Sequence, residues 1–169
     1  MTSAVDTNIL LDILLPDPKF LESSTRLLND AIATGKVIIS EVVYAELSAQ
    51  FGSKEELESF LEDSSIVVQP ANQAAMWEAG RAWMRYLKAR GEEIECPQCG
   101  DKRVTRCEKC GEIIAGRQHI VSDFLIGGHA QMMADTLLTR DRGFYQTYFK
   151  SLPLNKVAPA RKRPQTEHE

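Results

Sequence analysis

The sequence predicts an α/β fold, a parallel sheet with helices on both faces, interrupted by one small segment of different character. Three observations predict it. Four short apolar runs of strand type, Ser3-Ala4-Val5, Val37-Ile38-Ile39, Ile66-Val67-Val68 and Thr136-Leu137-Leu138-Thr139, are separated by segments with three- and four-residue apolar spacing. Those segments supply the crossovers of about a dozen residues or more that parallel neighbours require. The length of 169 residues and a hydrophobic fraction of 43% suit one domain with a core of its own.

The elements follow in order. After Val5, Asp6 leads into helical spacing from Thr7 to Leu14, with Thr7 as the expected cap. Asp17 to Thr34 reads as a second helix on the recurrence of Phe20, Leu27, Leu28, Ala31 and Ile32, and Gly35 stops it. Ser40 caps the helix that carries Val43 and Leu47 towards Phe51, and Ser53 with Glu56 forms a capping box for one ending near Asp63. Beyond Pro70, Ala71 to Arg90 is the longest helix, with Met76, Ala79, Trp83 and Leu87 on its apolar side and Arg81, Arg85 and Lys88 roughly opposite. Residues 95–116 lose periodicity, carry all four cysteines and have Gly100, Gly111 and Gly116 as turn residues, so they read as an insertion. Helical spacing resumes from Ser122 to Ala134, Thr136 to Thr139 is a strand, Gly143 to Phe149 a short helix, and Leu154 to Val157 an edge strand. Residues 1–94 and 117–157 therefore form one unit around the insert. From 158 to 169 no large apolar residue offers an anchor, which predicts a mobile tail.

Composition excludes several classes of function. With 20 Lys and Arg against 24 Asp and Glu, the net charge of −4 argues against nucleic-acid binding by bulk positive charge, so any recognition is local. The longest apolar run, Ile9 to Leu15, is broken by Asp12 and is far short of the roughly 18 to 20 residues of a membrane span. No basic leader precedes it, and a cytoplasmic location is expected.

Two strands end in aspartate, Val5-Asp6 and Thr139-Arg140-Asp141. In open parallel sheets ligands bind outside the carboxyl ends of the strands, so these two acids are expected at one crevice. Glu46 lies about two turns into the helix after the second strand, and Asp123 opens the helix before the strand that leads to Asp141. Carboxylates gathered within a few ångströms repel one another, and a divalent cation is the natural remedy. Hard oxygen ligands favour Mg²⁺ or Mn²⁺, which lowers the pKa of a water and holds a scissile phosphate. Taken singly, each acid also reads as a helix cap or a solvated charge, Asp123 most easily. Asp12, Asp30, Glu41, Glu78 and Asp135 have no such placement and read as surface or capping residues.

Val5-Asp6-Thr7-Asn8-Ile9-Leu10, Tyr44-Ala45-Glu46-Leu47, Ser122-Asp123-Phe124-Leu125-Ile126 and Leu138-Thr139-Arg140-Asp141-Arg142-Gly143-Phe144 resemble, in order, the four signature blocks of PIN-domain ribonucleases. The similarity is greatest to the toxin-type, VapC-like branch and covers essentially all of the chain outside 95–116 and 158–169. It implies a PIN-like fold and a Mg²⁺- or Mn²⁺-dependent endoribonuclease that leaves 5′-phosphate and 3′-hydroxyl ends. Asp6, Glu46, Asp123 and Asp141 stand at the positions of the family's catalytic, metal-binding acids, and Asn8 and Thr139 at its polar support positions. A small antitoxin partner, a homodimer and a structured RNA substrate are implied in the same way. The chain departs from the pattern in its insert and at Gly127-Gly128-His129. Two helical glycines cost roughly 1 kcal/mol each relative to alanine and suggest close approach of another backbone. His129 lies about 120° around the helix from Asp123 and reads as packed or surface rather than catalytic.

In the insert, Cys96-Pro97-Gln98-Cys99-Gly100 and Cys107-Glu108-Lys109-Cys110-Gly111 form two knuckles, each glycine letting the backbone turn its amides towards sulfur. Four thiolates at Cys96, Cys99, Cys107 and Cys110 suit one closed, structural, tetrahedral Zn²⁺ in a small zinc-ribbon-like segment. A redox pair or an iron–sulfur cluster is the alternative. Lys102, Arg103, Arg106 and Lys109 read either as an RNA-gripping surface or as a solvated ribbon or subunit contact, and Arg117, just before the Asp123 block, either as a contact to an RNA phosphate or as one to an antitoxin carboxylate. Other functional readings are a non-catalytic RNA- or ribosome-binding module and an RNA-processing PIN nuclease without an antitoxin. A phosphatase is disfavoured because Asp6-Thr7-Asn8 lacks a second aspartate.

Overall fold

The computed structural model describes residues 1–89, 91–96, 99–114, 120–141 and 143–157. The first strand, β1 (Thr2–Val5), runs into α1 (Thr7–Leu14), and α2 (Leu21–Thr34) returns the chain to β2 (Lys36–Ile39). Then α3 (Glu41–Ser48) and α4 (Lys54–Asp63) lead to β3 (Ile66–Val68), and α5 (Gln73–Ala89) follows. A short antiparallel pair, β4 (Glu93–Glu95) and β5 (Lys102–Val104), forms a separate sheet. The chain continues through α6 (Val121–Met133), β6 (Thr136–Thr139), α7 (Phe144–Tyr148) and β7 (Leu154–Lys156).

All pairings in the main sheet are parallel, in the order β3-β2-β1-β6-β7. The predicted α/β class holds. Ala4 stands opposite Ile38 on one side and Leu137 on the other, and β1, β2 and β6 are buried almost throughout. That is why they read as continuous apolar runs rather than alternating ones. The chain steps outwards from β1 to β3 and then returns to place β6 on the other side of β1. Right-handed crossovers, the rule for such connections, then put α1 to α4 on one face and α5 to α7 on the other. The order reverses between β1 and β6, the two strands whose ends carry Asp6 and Asp141, so the crevice of this sheet opens beside both acids.

Packing corrects several local expectations. The N-cap of α1 is Asp6, without a side-chain cap bond, and Thr7 does not cap. The second helix begins at Leu21, because Asp17 Oδ1 accepts from the amides of Lys19 and Phe20 and closes a turn first. Ser53 accepts from Glu56 as expected, but the returning Glu56 carboxylate takes the amide of Gly52. On α5 the buried stripe is Ala75, Ala79, Ala82 and Tyr86, whereas Met76 and Leu87 are 42% and 38% exposed. The cause is the close seam with α6. A Cβ on Gly128 would stand 2.5 Å from the Ala75 carbonyl oxygen and 2.9 Å from Ala79 Cβ, so only small residues fit there. Gly127 instead makes room for the ring of Phe149. Phe124 fills the space beyond, edge-on to Trp83 at 5.1 Å and to Phe144 at 4.8 Å. The tail, 158–169, lies outside the described residues, as do Gly116, Arg117 and Arg142. Among the described residues no helix is long and apolar enough to cross a membrane.

Candidate active site

A cleft of about 270 Å³ opens at the carboxyl ends of β1 and β6, lined by Asp6, Thr7, Asn8, Leu11, Glu46, Asp123, Ile126, Arg140, Asp141, Phe144 and Tyr145. All four acids singled out from the sequence reach it, each from a different element. Asp6 ends β1 and is 6% exposed. Glu46 comes from α3, Asp123 from the first turn of α6, and Asp141 from the loop between β6 and α7.

Hydrogen bonds fix each carboxylate. The Thr139 hydroxyl donates to Asp6 Oδ2 at 2.6 Å, and Asn8 Nδ2 donates to the same oxygen. Thr139 Oγ1 in turn accepts the Asp141 amide at 3.0 Å, and Asn8 Oδ1 accepts the Arg140 amide at 3.1 Å. These two polar residues thus tie the end of β1 to the end of β6. Asp141 Oδ1 accepts from the amides of Gly143 and Phe144, at the start of α7. Asp123 Oδ2 accepts the Ile120 amide at 3.1 Å, so the helix-capping reading and the cleft reading of this residue are both true of it. Glu46 accepts from Thr7 Oγ1, the bond that occupies the hydroxyl expected to cap α1.

Electrostatics singles out Asp6. Burial pushes its carboxyl up to about 6, and the negative charges of Asp123 and Asp141 add to the rise against the hydrogen bonds from Thr139 and Asn8. The donor set, four hard carboxylate groups of which Asp6 is the buried one, suits a divalent cation of the Mg²⁺ or Mn²⁺ type in its chemistry. The carboxylates surround the cleft without closing on a point: among the described residues no group of three or more His, Cys, Asp or Glu is close enough to hold a metal ion.

Two polar residues of the site, Tyr145 and Arg140, are not singled out by the sequence. Tyr145 is buried against the cleft, where burial first, and then the anions at Asp6, Asp123 and Asp141, hold its pKa well above the usual value. Its place one turn after Asp141 was the available signal. Arg140 lines the rim, but its guanidinium pairs with Asp12 at 2.7 Å and Asp17 at 3.7 Å and stacks over Phe20 at 5.0 Å. Asp12 is therefore no surface residue: it is 2% exposed and also accepts from Ser24 at 2.7 Å. Glu41 accepts the Ala71 amide ahead of α5, and Asp135 accepts the Thr2 amide. His129 is buried on α6 with Nε2 2.7 Å from the Gln69 carbonyl oxygen, a packing role that agrees with its expected distance from the acids. Burial lowers its pKa, opposed by that carbonyl and by Glu41.

The basic residues of the cysteine segment do not line the cleft. Arg103 pairs with Asp101 at 2.6 Å, and Arg106 donates to the Gly111 carbonyl at 3.1 Å, so both have local tasks. Lys102 and Lys109 are exposed, and Arg117 lies outside the described residues.

The family model of the PIN domain matches residues 4–91, a span that holds Asp6 and Glu46 and ends where the cysteine segment begins. Comparison with curated proteins gives no significant match. Among solved structures, the chain is similar to VapBC2 from Rickettsia felis bound to a DNA fragment from their promoter, with a TM-score of 0.60 and 19% identity over 94% of this chain and 100% of that one. It is similar to VapBC-1 from nontypeable Haemophilus influenzae, with a TM-score of 0.58 and 20% identity over 92% and 98% of the two chains. FitAcB from Neisseria gonorrhoeae gives 0.54 and 18% over 90% and 95%. At these identities the likeness is one of fold.

Proposed function

Because the chain belongs to the PIN domain family, we propose that it is a Mg²⁺- or Mn²⁺-dependent endoribonuclease of the toxin type, held in check by an antitoxin. The observation that carries the reading is the meeting of Asp6, Glu46, Asp123 and Asp141 at one cleft on the reversal point of the sheet. Structural kinship with two VapBC assemblies supports the antitoxin partner.

The chain's own part in the reaction follows from the hydrogen bonds. Asp6, Glu46, Asp123 and Asp141 would hold the cation. When bound, it supplies Lewis acidity that lowers the pKa of a water and offsets charge on the scissile phosphate. Thr139 and Asn8 fix the orientation of Asp6, and the amides of Gly143 and Phe144 fix that of Asp141, so neither carboxylate has to be ordered as substrate arrives. Without a cation these acids would repel an RNA phosphate. With one they become its binding site, which reconciles a net charge of −4 with a polyanionic substrate.

The test is cleavage of RNA by the purified chain in Mn²⁺, compared with Asp6→Asn. Loss of about two orders of magnitude or more is expected for the variant. Equal cleavage by both would remove the cluster from the reaction, and RNA binding without cleavage by either would return the chain to the non-catalytic reading.

A further inference from the structure

The cysteine segment shows no core among its described residues. No residue between Gly91 and Ile114 whose exposure is described is buried, and its regular structure is one three-residue strand pair and the isolated bridge between Arg106 and Ile113. Such short hairpins are marginal in water without a hydrophobic face or a cross-link. The turns they close are nonetheless built alike. In the first, the Gly100 amide donates to the Cys96 carbonyl and the Cys96 amide to the Asp101 carbonyl, both at 2.8 Å. In the second, the Gly111 amide donates to the Cys107 carbonyl and the Cys107 amide to the Glu112 carbonyl, again at 2.8 Å. Gly100 and Gly111 both take left-handed backbone, at φ 77° and 74°, where a side chain would be strained. All four cysteines are free of disulfides.

No three of the four cysteines gather at one point in the structure, and we propose that the two turns are halves of one Zn²⁺ site that binding draws together, in which Cys96, Cys99, Cys107 and Cys110 of a single chain close around the ion and join the two hairpins. Thiolates select zinc over the hard cations suited to the acidic cleft, and a four-sulfur site leaves no position for substrate, so the ion is structural. Binding releases the thiol protons to solvent as four S–Zn bonds form, and it supplies the folding energy that the absent core does not. The proposal does not rest on nuclease activity.

Zinc content and native mass of the full chain, purified under reducing conditions, test it. About one Zn²⁺ per monomer is expected, with all four thiols protected from alkylation until a chelator removes the ion. Co²⁺ in its place should give the charge-transfer and d–d bands of a tetrahedral tetrathiolate. Cys99→Ser and Cys110→Ser should each lose stoichiometric zinc while the thermal transition of the α/β core persists, since neither cysteine packs against that core. Asp6→Asn should keep its zinc. Four thiols that alkylate equally with and without zinc would overturn the proposal. So would a disulfide within either turn in the reduced protein, or zinc held only between two chains with defects in opposite turns complementing each other.

Discussion

Asp6 is buried at the end of a strand, and its carboxyl is pushed up from 3.8 to about 6. The protonated form is the one the metal-free fold favours. Its stabilising effect is therefore complete below the unfolded pKa of 3.8 and is lost as pH rises through about 6, a difference on the order of 3 kcal/mol across that window. Metal-free protein should gain stability from this residue as pH falls from 7 towards 4, and Asp6→Asn should flatten that dependence and be more stable than wild type at pH 7. Urea denaturation in chelator at several pH values checks both, and an unchanged pH profile in the variant would count against the electrostatic account. At this scale the sequence was partly legible. Asp6, Asn8, Thr139 and Asp141 could be found because strand ends announce themselves as apolar runs that stop at a polar residue. The pairing of Asp12 with Arg140 could not, since nothing in either neighbourhood names a partner so distant in the chain. That pair gives a second prediction. Removing Arg140 as Arg140→Met leaves a buried carboxylate unpaired and should cost about 3 kcal/mol, most of it recovered in the double variant with Asp12→Asn. Additive losses in the double-mutant cycle would mean that the two side chains act separately.

The seam between α5 and α6 shows the same logic in elements. Helical periodicity locates both helices, and Ala79 and Trp83 pack on the core as it predicts, but it puts Met76 and Leu87 in the buried stripe of α5 where the structure puts Ala75 and Ala82. What decides is the partner: Gly128 brings α6 so near to Ala75 and Ala79 that the seam has no room for larger side chains at that crossing. Gly128→Ala should therefore destabilise by about 1 to 3 kcal/mol through overpacking. Gly80 sits in the same α5 helix with nothing within 4 Å of the position a Cβ would take, so Gly80→Ala should stabilise by up to about 1 kcal/mol through helix propensity. Opposite signs in chemical denaturation are expected, and a loss of similar size in both would show that backbone freedom, rather than space, governs these glycines.

Across the whole molecule, sheet topology and charge act together. The reversal of strand order beside β1 opens a crevice whose walls come from α3, α6 and the β6–α7 loop, and the chain puts an acid on each. Alternation of strands and helices made this architecture readable from sequence. The register, the tightness of the α5–α6 seam and the second hairpin's backbone geometry were not, because they depend on contacts that periodicity does not encode. The proposed activity requires that these four acids be a site for a hard divalent cation. Titration of metal-free protein with Mn²⁺ at pH 7, following the electron-spin resonance signal of the free ion, tests it most directly. Saturable binding by wild type, weakened at least about tenfold in both Asp6→Asn and Asp141→Asn and unaffected by Cys99→Ser, is the predicted result. Equal binding by wild type and both aspartate variants would contradict it.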